Sequence, residues 1–282
     1  MRATAVAATA TGAHSPRLKA ARRLTKRAFR QRERAFLAEG PQAVAEAFRY
    51  GARVTDLFVT VPARGRHHDL VAEIADAGIP VHVVSGEIMD ELAQTVTPQG
   101  LLAVCDFVDV PLASITGTSQ PQLVALLANV RDPGNAGTVL RTADAAGAHA
   151  VVFADASVDP YNGKCVRASA GSLFHLPVVA TAGLGEAITT LREAGLRIVA
   201  ADGRAGRSLD DPAVQARLAE PTAWMFGNEA WGLPPELVAL ADEPVAVPIY
   251  GRAESLNLAA AAAVCLYASA RAQRVQRQMG QK

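Results

Sequence analysis

Short apolar runs alternate with amphipathic stretches along most of the chain, and the alternation predicts strands and helices in turn. The run 123–130 is almost wholly Leu, Val and Ala, as a parallel strand buried on both faces requires. Comparable runs predict strands at 54–61, 78–84, 100–107, 150–154, 176–180, 196–201 and 223–226. Helices are predicted at 41–50, 69–77, 87–93, 136–146, 184–194 and 234–240, with 62–68 a loop. The end of the chain is the most unusual part. A short buried strand from Pro244 leads to a turn at Tyr250-Gly251, and Glu254, Ser255 and Asn257 crowd the mouth of an Ala-rich helix. One of these side chains suffices to cap a helix. The surplus marks a site.

The pattern implies an α/β protein in two parts. Ser114, Thr116, Gly117, Thr118, Ser119 and Pro121 make 111–121 the best boundary. A small layered domain at 16–110 then precedes a larger one at 122–275, behind a flexible lead-in at 1–15. Periodicity alone suggests an ordinary open sheet, because chains rarely thread through their own loops.

Composition changes the picture in a few respects. At 282 residues, half of them apolar and 5% aromatic, the chain suits packed α/β layers. Cys105, Cys165 and Cys265 are far apart and form no C-x-x-C pair, so neither a disulfide framework nor a metal site is expected. No apolar run reaches membrane-spanning length, and the first residues lack a leader's charged segment. These features imply no membrane and a cytoplasmic location.

Net charge is only +1, but it is unevenly spread. Between 17 and 34 stand Arg17, Lys19, Arg22, Arg23, Lys26, Arg27, Arg30, Arg32 and Arg34 against one acid, Glu33. Leu18, Leu24 and Ala28 recur between them at near-helical spacing, so one amphipathic helix or two short ones are predicted. A solvated helix face is the plain alternative. Cations this dense repel one another unless a polyanion compensates, and RNA phosphates are the natural candidate.

Three further stretches carry candidate chemistry. In Asn135-Ala136-Gly137-Thr138-Val139-Leu140-Arg141-Thr142-Ala143, Asn135 is placed to cap, and Arg141 lies nearly two turns into the helix. A surface salt bridge with Asp144 is the bland account of that Arg. Phe226-Gly227-Asn228-Glu229-Ala230-Trp231-Gly232-Leu233 follows a strand directly, and its glycines allow close backbone approach to a ligand. The loop at Asp202-Gly203 also follows a strand, where α/β folds bind ligands. Lys164, Arg167 and Ser169 are candidate phosphate contacts near a helix starting at Asn162. Glycine spacing matches neither the dinucleotide fingerprint nor the P-loop, which disfavours a dinucleotide-dependent enzyme.

Together with Val247-Pro248-Ile249-Tyr250-Gly251 and Ser255-Leu256-Asn257-Leu258, these motifs resemble the SpoU/TrmH branch of the SPOUT methyltransferases, in that family's order and spacing. Phe36-Leu37-Ala38-Glu39-Gly40 and Thr97-Pro98-Gln99-Gly100 resemble the L30e-like RNA-binding domain often fused to it. The resemblance implies a SPOUT-type parallel sheet with a C-terminal trefoil knot, preceded by a small α/β L30e-like domain. It also implies a homodimer that uses S-adenosylmethionine to methylate a ribose 2′-oxygen in RNA, with ribosomal RNA preferred to tRNA. Carried over position by position, it assigns Asn135, Arg141, Glu229, Ser255 and Asn257 to the reacting centre. It assigns Asp202, Gly203, Gly227, Val247, Ile249 and Leu256 to the cofactor, and requires no metal. The family Arg is held to assist removal of the 2′-OH proton, but a guanidinium stays protonated, so its position is worth more than a literal base role. An RNA-binding protein without catalysis is the competing reading, disfavoured because all five polar positions are filled.

Overall fold

The computed structural model describes residues 9–10, 12, 14–117 and 121–280. Most of the lead-in at 1–15, and residues 118–120 of the linker, lie outside the described residues. The chain divides into two compact units: one runs to Val108 and takes in Tyr161–Phe174, the other comprises Asp109–Pro160 and continues from His175.

The first unit begins with β1 (Thr9–Ala10), α1 (Pro16–Arg23), α2 (Arg27–Glu33), β2 (Ala35–Glu39), α3 (Pro41–Arg49) and β3 (Val54–Thr60). It continues with α4 (Val61–Arg66), α5 (His68–Asp76), β4 (Val81–Val84), α6 (Gly86–Leu92) and β5 (Leu101–Asp106). The strands form a mixed sheet in the order β1-β4-β3-β5-β2, with β5 antiparallel to both neighbours. Leu18, Ala21 and Leu24 pack onto the sheet with Leu37, Phe58 and Leu102. The basic segment therefore forms two short helices, and its apolar residues cover the core.

Three sequence expectations change here. Strand β2 was not among the predicted strands. The expected loop 62–68 is largely helix α4: Pro62 sits in its first turn, where a missing N–H costs nothing, and Thr60 Oγ1 accepts from Ala63 N at 3.4 Å. Residues 161–174, expected in the second domain, belong to the first unit. Tyr161 stacks on Phe107 with centroids 3.7 Å apart and meets Phe36 at 4.7 Å, while its hydroxyl accepts from Val108 N at 2.9 Å.

The second unit holds β6 (Leu123–Ala128), α7 (Pro133–Ala146) and β7 (Ala150–Ala154); α8 (Gly163–Ser169) follows in the chain but packs with the first unit. Next come β8 (Val178–Ala182), α9 (Leu184–Glu193), β9 (Arg197–Ala201), α10 (Pro212–Gln215) and β10 (Thr222–Phe226). The unit ends with α11 (Pro235–Val238), β11 (Glu243–Val245) and α12 (Leu258–Gly280). Its sheet runs β11-β9-β10-β6-β7-β8, and every pairing is parallel.

Parallel pairing puts all carboxyl ends on one edge, so the loops after β6, β9, β10 and β11 share that edge. The short β11 is pinned by charge: buried Glu243 accepts from Arg197 at 2.7 Å and from Arg207 at 2.9 Å. Helix α12 is fixed by buried Trp224, whose indole N–H donates to Ser269 Oγ at 3.0 Å. Cys105, Cys165 and Cys265 are all buried and unbridged. No helix of the described residues is long and apolar enough to cross a membrane.

Candidate active site

The site grows from the end of β6. Asn129 adopts the left-handed conformation (φ 60°), one that Asn tolerates better than most residues, and its carbonyl accepts from Asn228 Nδ2 at 3.1 Å. The chain then turns through Asp132, which caps α7 by accepting from Asn135 N at 2.8 Å. The cap expected at Asn135 is thus made by Asp132. That exchange frees the Asn135 side chain for the site.

After β10 the chain doubles back at once. Asn228 and Gly232 exchange both backbone hydrogen bonds, at 3.0 and 2.9 Å, and Asn228 Oδ1 accepts from Ala230 N at 2.8 Å. A Cβ on Gly227 would stand 2.6 Å from the Gly232 carbonyl, so this tight return needs glycine.

The turn projects Glu229 onto the first motif. Its carboxylate accepts from Arg131 N at 3.1 Å, from Asp132 N at 3.0 Å and from Asn135 Nδ2 at 3.4 Å. Asn257 Nδ2 in turn donates to Asn135 Oδ1 at 3.0 Å, while Asn257 Oδ1 caps α12 by accepting from Ala259 N at 2.9 Å. One hydrogen-bonded line, Glu229–Asn135–Asn257, joins all three motifs over sequence separations of 94 and 122 residues.

Arg141 and Ser255 stand apart from this line. Both are exposed, and neither side chain has a hydrogen-bond or ion-pair partner among the described residues. Asp144, the expected partner of Arg141, is instead 2.7 Å from His175. On the same face of α7 as Arg141, Thr138 and Thr142 turn their hydroxyls back onto Gly134 O and Thr138 O, each at 2.8 Å.

The loops expected to hold the cofactor also meet at this edge. Asp202 N donates to Val245 O at 3.1 Å, and Asp202 Oδ1 accepts from the Arg204 backbone and Nε, both at 3.1 Å. Arg204 Nη2 then reaches Leu233 O at 2.6 Å, so one side chain braces the loops after β9 and β10. The sequence reading passed over Arg204, Asn228 and Asp132 as site residues, although the first two adjoin residues it chose and Asp132 lies three before Asn135. Ile249 and Leu256 are partly exposed apolar side chains on an irregular segment, and Val247 is half-buried. Uncovered apolar groups beside backbone polar atoms suit the adenosine portion of a cofactor. Tyr250 donates to Asp210, and that carboxylate holds the phenol above its ordinary range.

The basic residues of the first unit divide. Arg30 is buried and donates to Leu24 O and Thr25 O, both at 3.0 Å, so its expected place on the RNA-facing surface is corrected: it ties α1 to α2. Arg17 pairs with Asp56, and Arg22 with Glu91. Lys19, Arg23, Lys26 and Arg27 remain exposed, with no acidic partner among the described residues. The suggested phosphate contacts at Arg167 and Ser169 are likewise corrected. Arg167 pairs with Glu39 at 2.8 Å, and buried Ser169 donates to Val166 O at 2.7 Å.

Comparison with known proteins gives this arrangement its class. The family model described as the SpoU rRNA Methylase family matches residues 122–267, and the chain belongs to that family. A second model, the MRM3-like substrate binding domain, matches residues 15–103. Among the chain's relatives is the 23S rRNA (guanosine(2553)-2′-O)-methyltransferase RlmP of Bacillus subtilis, 34% identical over 90% of this chain and 96% of that one. Two solved structures are similar throughout. The AdoMet-bound rRNA methyltransferase from Sinorhizobium meliloti is 32% identical with a TM-score of 0.77, covering 93% of this chain and 96% of that one. The SpoU methyltransferase AviRb from Streptomyces viridochromogenes, in complex with AdoMet, is 28% identical with a TM-score of 0.78, covering 93% and 100%.

Proposed function

We propose that this chain, an S-adenosylmethionine-dependent RNA ribose 2′-O-methyltransferase, takes 23S ribosomal RNA as its substrate. The observation that carries the reading is the line Glu229–Asn135–Asn257, with Arg141 and Ser255 exposed and without partners among the described residues. The RlmP relative, named as a 23S rRNA enzyme, and the Sinorhizobium meliloti structure, described as an rRNA methyltransferase, support ribosomal RNA over tRNA.

S-adenosylmethionine, when bound, supplies a methyl group on a sulfonium. The chain's own residues do the rest. Asp202, Gly203 and Gly227 offer backbone groups to it, and Val247, Ile249 and Leu256 offer apolar walls. Arg141 stabilises negative charge at the 2′-oxygen or the adjacent phosphate, and Ser255 and Asn257 orient the ribose. Glu229 fixes the Arg131–Asn135 turn against which the nucleotide is placed.

Residues 16–110 hold the RNA as an L30e-like domain. The C-terminal segment passes through a trefoil knot, and the enzyme works as a cytoplasmic homodimer. Val264, Tyr267, Val275 and Met279, exposed on α12 in the single chain, support the dimer. Mapping 2′-O-methyl groups in total RNA, with and without the gene, tests the substrate. One 23S position is expected to lose its methyl group; an intact 23S profile with a missing tRNA mark would overturn the reading.

The first unit's role has its own test. Changing Lys19, Arg23, Lys26 and Arg27 together to Gln keeps the apolar face of α1 and α2. The slope of log K for RNA against log salt is expected to fall by roughly three, at about 0.7 to 0.9 per phosphate contact. An unchanged slope, measured by filter binding across a salt series, would leave these residues a purely solvated face.

A further inference from the structure

We infer that Trp231 is a stacking platform for an RNA base at or beside the methylated nucleotide, an inference that rests on the RNA methyltransferase reading above. The chain has only two tryptophans. Trp224 is buried, with its N–H bonded to Ser269. Trp231 is 61% exposed, and its indole has no hydrogen-bond partner among the described residues.

Tryptophan is enriched where a protein meets a partner, because its ring joins a large apolar face to a polar N–H. Here it sits on a backbone that cannot easily move. The Asn228–Gly232 return is closed by two backbone hydrogen bonds and by Asn228 Oδ1, and Gly227 leaves no space behind it. The same five-residue turn projects Glu229 onto Asn135. The backbone that carries Trp231 is therefore held beside Asn135, one of the residues proposed for the reacting centre.

Its surroundings favour a nucleotide over a protein surface. Glu229, on the same turn as Trp231, accepts from Arg131 N and Asn135 Nδ2, so the turn that carries the indole lies against a polar segment. The exposed apolar residues suited to a subunit contact, Val264, Tyr267, Val275 and Met279, lie together on α12. Aromatic side chains are how proteins hold unstacked RNA bases, because every base has a face that stacks on a ring. Tyr250 differs in that its hydroxyl is tied to Asp210.

The test uses the full-length enzyme and 23S rRNA purified from a strain lacking the gene. Trp231→Ala is expected to lower kcat/KM for RNA by about five- to 100-fold, as loss of one stacked base does. Trp231→Phe should recover most of that loss, and the affinity for S-adenosylmethionine measured by calorimetry should not change. In the parent, RNA should protect one of two tryptophan emissions from iodide quenching, and Trp231→Phe should abolish the protectable component. Parental kcat/KM in the Ala variant would overturn the proposal, as would a changed oligomeric state by light scattering, which would make Trp231 a subunit contact. An inactive parent on this RNA would instead count against the substrate assignment, and the quenching arm on total RNA would still decide Trp231.

Discussion

Replacing Arg141 by Ala is expected to lower kcat by roughly 10²- to 10⁴-fold while leaving S-adenosylmethionine affinity within about twofold of the parent. A ribose hydroxyl is a poor nucleophile, and its reaction requires negative charge to build on oxygen as the proton departs. Arg141 is exposed on α7, and its guanidinium is not consumed by Asp144, which is held by His175. In the proposed role its fork of N–H donors stabilises that charge in the transition state and does little for the resting complex. The cofactor loops lie after β9, β10 and β11, whereas Arg141 lies on α7. Arg141→Lys is expected to recover only a small part of the rate, because an ammonium cannot reproduce the planar fork. As an exposed side chain its removal should shift stability by no more than about 0.5 kcal/mol. Calorimetry and single-turnover methylation on one preparation separate these effects. Lost cofactor affinity with intact turnover would remove Arg141 from the reacting centre.

The second large effect is expected at Glu229. Its carboxylate accepts from two backbone N–H groups and from the Asn135 amide. Only an ionised carboxylate offers acceptors in every one of those directions. Glu229→Gln keeps one acceptor oxygen and turns an NH₂ toward a donor, so it should behave almost as badly as Glu229→Ala. About 100-fold in kcat/KM is the expected loss for either, since hydrogen bonds to a charged group contribute about 1.5–3 kcal/mol each. A second substitution distinguishes a shared unit from independent contacts. Adding Asn135→Ala to Glu229→Ala should cost much less than Asn135→Ala does alone, because the line is already broken. Additive losses, or full activity in Glu229→Gln, would mean that the line is incidental to catalysis.

Much of the second unit could be read from sequence because its signals are local. The unbroken apolar run became β6, and 150–154 became β7 with the same bounds. The three motifs were recognisable one by one, but their meeting point was not: Asn257 and Asn135 are 122 residues apart, and only the fold puts an amide hydrogen bond between them. The cap was misplaced by three residues because Asp132 and Asn135 are both good capping types. Strand β2 escaped notice because its stability comes from β5, whose first partner residue lies more than sixty positions on. Arg30 looked like its neighbours along a basic segment; burial beneath the Leu24–Thr25 carbonyls is visible only in three dimensions. Helix α4 was legible in principle, from Thr60 followed by Pro62, but Gly65 and the polar run around it suggested a loop. The attachment of 161–174 to the first unit rests on the Phe36–Tyr161–Phe107 stack, aromatic contacts that no periodicity reveals.

The three buried cysteines have a practical side. Burial pushes the Cys105 and Cys265 thiols far above their ordinary range, and the neighbouring Asp106 adds to the effect at Cys105. The thiolate is the species that reacts with alkylating and oxidising reagents, and all three thiols are buried away from them. The folded enzyme is thus chemically quiet toward maleimides. A cysteine placed beside Trp231 or on α1 would carry a reporter dye alone, with no native thiol to remove first.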